Sequence, residues 1–169
     1  GLVHVVAFLG LWVQILGLVG SDGILPAPEI AKGLDTMFGM ERQLLVPSLF
    51  WLWPSDAMLH LLCGGGVALG LVVAAGFVQG PALLGLWVLY LSLHTVAQPF
   101  LGYQWDALLL ELTFLSLLIA PWGLRASGAP EPAPVAMTLV RWLHLRVLFF
   151  SGLGKLLGGS SHWTDLDAT

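Results

Sequence analysis

Residues 57–78 read AMLHLLCGGGVALGLVVAAGFV, 22 residues without an Asp, Glu, Lys or Arg. Wound as a helix, such a run is about 33 Å long, enough to cross the ~30 Å hydrocarbon layer of a bilayer. Four more apolar runs lie outward from it. Residues 1–19 are interrupted only by His4 and Gln14. Residues 81–97 form a shorter run, followed by 105–122 and 135–157. The sequence therefore predicts an all-α integral membrane bundle of about five transmembrane helices, with a long polar loop after the first.

Composition agrees. Apolar residues make up 57% of the 169 and charged residues 9%, where a soluble domain carries about 25% charge. Mean hydropathy is +0.89. So little charge leaves no polar skin for water, and the expected partner of this surface is the lipid bilayer. The net charge is −4 and no basic run exists, which argues against nucleic acid, whose phosphates need clustered Lys and Arg. Cys63 is the single cysteine, so no intrachain disulfide or CxxC motif forms. Gly1 already lies inside an apolar run and the chain stops at Thr169 without a polar tail; a piece of a longer protein is expected.

The connections are unequal. Gln79-Gly80 is all that separates the second and third runs, which predicts a tight helical hairpin with Pro81 at the start of the next helix. The connection 123–134 carries Pro130, Pro132 and Pro134 and reads as extended and exposed. The long connection 20–56 holds Asp22, Glu29, Lys32, Asp35, Glu41 and Arg42 and reads as water-facing. Residues 27–40 suit a short amphipathic helix after Pro26. Leu49-Phe50-Trp51-Leu52-Trp53 resembles an interfacial aromatic belt, with Pro54-Ser55-Asp56 capping the next span. Lys32 and Arg42 on one side against Arg125 and Arg141 on the other leave orientation undetermined by charge. The Gly64-Gly65-Gly66 run and Gly70 permit close helix approach.

Ionisable groups inside spans cost roughly 2.5–3.5 kcal/mol each, so they mark structure or function. Nearly all fall in the fourth and fifth runs. Gln104 and Glu111 share a helix face to within about 20°, while Asp106 lies roughly 140° from Glu111. Asp106 reads as an N-terminal cap or as a functional carboxylate. Glu111 lies deeper and requires a partner. In the fifth run, Arg141, His144, Ser151, Gly152 and Lys155 fall within an arc of about 100° on one side of the helix. Arg141 and Lys155, near the ends, suit snorkelling. Arg146 points elsewhere, about 140° from Arg141, and is the expected ion-pair partner of Glu111. His4, His60, His94 and His144 stand on four different predicted helices without i, i+3 or i, i+4 pairing. Packed, hydrogen-bonded histidines are expected, and no metal or cofactor.

The block Gln104-Trp105-Asp106-Ala107-Leu108-Leu109-Leu110-Glu111, followed by Phe114-Leu115 and Ala120-Pro121, resembles the lipase maturation factor family. So do Arg141-Trp142-Leu143 with Arg146, Ser151-Gly152-Leu153-Gly154-Lys155-Leu156 and His162-Trp163-Thr164-Asp165-Leu166. Upstream, Gln14-Ile15-Leu16-Gly17-Leu18 and Gly23-Ile24-Leu25-Pro26-Ala27 fit that family's first span and loop. The resemblance implies a multi-spanning protein that assists folding and maturation of exported proteins such as secreted lipases, its clients. It implies the endoplasmic reticulum membrane in a eukaryote or the inner membrane in a bacterium. The loop 20–56 and the C-terminus would then lie on the lumenal or periplasmic side, ahead of a large further domain. More distantly, Gly152-Leu153-Gly154-Lys155-Leu156 followed by Trp163 is similar to a block of vitamin K-dependent gamma-carboxylases. That likeness implies an alternative, a membrane-embedded enzyme with Lys155 as base.

Overall fold

A computed structural model describes residues 1–124 and 131–157, the side chains of Met40 and Leu156 excepted. Every long element among them is helical, and no strand is present among the described residues. In chain order the helices are α1 (Leu2–Val19), α2 (Ala27–Phe38), α3 (Arg42–Leu45), α4 (Asp56–Ala74), α5 (Gln79–Val96), α6 (Gln98–Leu101), α7 (Gln104–Ser116) and α8 (Pro134–Leu157). The chain divides into two compact units, Gly1–Glu131 with α1 to α7, and Pro132–Thr169 with α8.

Three helices among the described residues are long and apolar enough to cross a membrane: Leu2–Val19, Asp56–Ala74 and Pro134–Lys155. Two of the five expected spans do not reach that standard. α5 has 18 residues, but Gln79, Pro81, His94 and Thr95 dilute its apolar content. α7 has 13 residues, about 20 Å at 1.5 Å per residue. The expected run to 122 ends early because the chain tightens beyond Ser116. There Leu117, Leu118 and Ile119 each donate three residues back, to Phe114, Leu115 and Ser116. Pro121 follows, and a residue before proline avoids the α region.

The first unit is built on a contact between α1 and α4. Residues Phe8, Leu11, Ile15 and Val19 recur at three- and four-residue spacing and form the buried stripe of α1. They meet Leu59, Leu62 and Cys63 of α4. Gly66 and Gly70 continue that face of α4, four residues apart, as small residues do where membrane helices meet closely. A β-carbon on Gly66 would overlap the Phe8 ring, and one on Gly70 would lie 2.8 Å from Val5 Cγ2. α5 packs on α4 as well, with Leu83, Leu86, Leu93 and Val96 in the same core. α7 packs on α5 in turn. The Phe8 ring meets the Tyr90 ring edge-on at 5.4 Å, tying α1 to α5.

The hairpin between α4 and α5 turns earlier than the sequence suggests. Gln79 and Gly80 are already in α5. The reversal is a Schellman motif: Gly76 donates to Val73 O, Phe77 donates to Val72 O, and Gly76 takes φ 79°. Val78 then adopts φ 43°, a left-handed conformation costly for a β-branched residue. Its N–H donates to Leu124 O, and Gly80 N–H donates to Pro121 O. The strand of chain after α7 thus pins the start of α5.

The long connection between α1 and α4 is largely helical. Pro28 opens α2, with Glu29 in its first turn. Ser55 caps α4, its hydroxyl accepting from the Met58 amide, as its position suggests. The aromatic belt is only half realised. Leu52 and Trp53 are exposed, but Phe50 and Trp51 turn inward and are at most 4% exposed. The 3₁₀ turn Leu49–Leu52 is clamped onto α5: Ser48 Oγ donates to Ser92 O, and the Leu49 amide donates to Ser92 Oγ. Arg42 holds the rest. It pairs with Asp35 at 3.2 Å, donates to Ala31 O, and lies 5.6 Å from the Trp51 ring centre. At the base of the connection, the amide and hydroxyl of Ser21 both donate to the Asp56 carboxylate.

Candidate functional site

In the first unit, two polar contacts made by buried side chains sit where α7 meets α5 and α1. Asp106 lies in the first turn of α7 but is not its cap, a position Tyr103 occupies. Its carboxylate instead accepts from the Tyr90 hydroxyl at 2.6 Å. This corrects the reading of Asp106 as a cap. Tyr90 is buried in the core, so its hydroxyl needed a partner, and the α7 backbone brings one.

A second polar contact closes the opposite end of α7. Thr113 Oγ1 donates to Leu109 O at 2.6 Å, a back-bond to the preceding turn. His4 Nε2 lies 2.8 Å from the same hydroxyl oxygen. The hydroxyl proton is committed to Leu109, so His4 Nε2 is the donor and Nδ1 holds the lone pair. Both side chains are buried. On α4, His60 Nδ1 accepts from Trp12 Nε1 at 2.7 Å. His4 is thus a buried, hydrogen-bonded residue of the core, while His60 is exposed and held by Trp12. Among the described residues, no three His, Cys, Asp or Glu gather as a metal set.

Between its two ends, the seam of α1 and α7 opens into a groove of about 760 Å³. Val6 and Gly10 of α1 and Leu109 and Leu112 of α7 line it, with Gln14, Tyr90 and Asp106 as its polar members. A second cavity of about 420 Å³ lies beside His4 and Thr113, near the α4–α5 turn.

The remaining residues singled out from sequence distribute as follows. Gln104 begins α7 and is exposed, and Glu111 is half-buried midway along it. In the second unit, α8 carries Arg141, His144 and Lys155 exposed, with Lys155 in its last turn. Arg146 is half-buried, its guanidinium 5.5 Å from the centre of the Trp142 ring one turn earlier. Arg125, Pro130 and the segment His162–Leu166 lie outside the described residues. Sequence reading missed Tyr90, Thr113 and the His4 partnership. The available signal was the hydroxyl side chains inside two apolar helices, each of which must find a partner when buried.

The apolar helices and the low charge define the class: an integral membrane protein of helical type. The family model for the lipase maturation factor transmembrane domain matches residues 1–169. Lipase maturation factor 2 of Xenopus laevis is 37% identical over 178 residues, covering 98% of this chain and 25% of that protein. The Gallus gallus lipase maturation factor 2 is 39% identical, covering 98% and 24%. Bos taurus lipase maturation factor 1 is 32% identical, covering 97% and 31%. The chain belongs to the lipase maturation factor family, and spans about a quarter of the length of the first two relatives. No solved structure matches it.

Proposed function

We propose that this chain is the membrane-spanning part of a protein that assists the folding and maturation of exported proteins such as secreted lipases. The match of the transmembrane-domain model across residues 1–169 carries this reading, supported by relatives named lipase maturation factors. In this reading α5 and α7 complete a five-span bundle with α1, α4 and α8, and the connection 20–56 faces the lumen or periplasm. The residence is the endoplasmic reticulum membrane in a eukaryotic cell and the inner membrane in a bacterial one. Nothing among the described residues favours the carboxylase-like alternative with Lys155 as base. The bundle would anchor the client-binding part of the longer protein.

The test is a deletion strain or cell line expressing a secreted lipase. Loss of the protein should lower lipase activity per unit of lipase mass, and the client should co-purify with the full-length protein. Unchanged specific activity of every secreted lipase in the deletion would sink the proposal.

A further inference from the structure

We infer that the groove between α1 and α7 holds one acyl chain of a phospholipid whose primary-amine headgroup is received by Asp106. The groove's polarity is one-sided. Along α1 its lining runs from Leu2 to Gln14, which is about 18 Å of helix. That is close to the roughly 15 Å depth of a single leaflet's hydrocarbon. Below Gln14, α1 offers only apolar side chains and Gly10 to the groove, and α7 contributes Leu108, Leu109 and Leu112. The polar groups gather at the other end, where Gln14, Tyr90 and Asp106 converge beside Trp105.

That end adjoins the membrane boundary. Tyr90 is two residues from Ser92, which holds the polar connection between α1 and α4 through Ser48 and Leu49. Trp105 is 80% exposed at the rim, as an interfacial tryptophan would be. A chain entering there is apolar below and meets a carboxylate at its head. The volume of about 760 Å³ lies within the range of small-molecule sites.

Charge selects the headgroup. Asp106 disfavours free fatty acids and anionic headgroups at this position. A primary ammonium complements it and donates a charge-assisted hydrogen bond, which a choline headgroup lacks the N–H to make. Phosphatidylethanolamine is therefore the matching occupant. This inference is independent of any lipase client. It rests on the membrane location of α1 and on the groove.

Native mass spectrometry of the whole protein, released from nanodiscs of equal phosphatidylethanolamine and phosphatidylcholine, tests it. One phospholipid should stay bound, with ethanolamine favoured about tenfold, the ratio one charge-assisted hydrogen bond supports. Gly10→Leu should empty the groove, since a β-carbon at Gly10 meets only open space there. Gly17→Leu is the control, equally open at its β-carbon but outside the groove lining. Asp106→Asn keeps an acceptor for Tyr90 and should equalise the two lipids. Melting temperature of each variant confirms that it is folded. The inference is overturned if no lipid is retained, if Gly10→Leu retains it as the parent does, or if the headgroups bind equally in the parent. A peptide or second copy retained in place of lipid also overturns it.

Discussion

Gly65 and Gly66 are neighbours in sequence, yet alanine at the two positions should change stability in opposite directions. A β-carbon on Gly66 would overlap Cδ1 and Cε1 of the Phe8 ring. That ring is fully buried and braced edge-on by Tyr90 at 5.4 Å, so it has little room to swing away. Overpacking of this kind costs about 1–3 kcal/mol. Replacing a helical glycine by alanine returns up to about 1 kcal/mol through helix propensity. An approach this close to two ring carbons puts the cost in the upper part of that range, about 2–3 kcal/mol, so the net for Gly66→Ala is a loss of about 1–2 kcal/mol, or a fall in melting temperature of about 2–8 °C. A β-carbon on Gly65 meets Leu89 Cδ1 at 3.4 Å, an ordinary contact. Gly65→Ala therefore keeps the propensity gain and should melt higher than the parent. Cys63, the only cysteine, is fully buried. A thiol-reactive fluorogenic dye on the detergent-solubilised protein therefore reads the opening of this helix pair directly. Phe8→Leu in the Gly66→Ala background should recover at least about 0.5 kcal/mol relative to additive losses. A Gly66→Ala protein that melts with or above the parent, or strict additivity with Phe8→Leu, would refute the packing described for α1 and α4.

Three further outcomes follow from particular contacts. Val78→Gly removes the left-handed strain of a β-branched residue at φ 43° and should stabilise by about 1 kcal/mol, read in the same melt; a lower melting temperature would count against that turn. Tyr90→Phe leaves the Asp106 carboxylate without its 2.6 Å donor and should cost about 1.5–3 kcal/mol, whereas Tyr103→Phe, at an exposed position, should be neutral; equal effects would contradict the network. Arg42→Lys keeps the charge but cannot reach Asp35, the Ala31 carbonyl and the Trp51 face together, so limited proteolysis should cut the connection 20–56 faster than in the parent; unchanged cleavage would show that Arg42 does not hold that segment.

The sequence by itself determined the solvent and the secondary structure. Long uncharged apolar runs permit only helices in lipid, because each backbone N–H and C=O must be satisfied within the segment. It also marked Ser55 as a cap and the Gly64-Gly65-Gly66 run with Gly70 as a place of close helix approach, since those depend on local sequence. Family membership was legible too, in the ordered blocks from Gln14 to Leu156. Rotation and pairing were decided by tertiary structure alone. Nothing local separates Gly65 from Gly66, because a helix lipophilic on every side does not declare which face meets a neighbour. Asp106 read as a cap from its position, but the neighbouring α5 supplied Tyr90 as its partner. His4 and Thr113 are 109 residues apart, and only the return of α7 alongside α1 brings them together. The groove on that seam has the same origin: it is empty space between two helices, and a sequence encodes its walls without stating their separation.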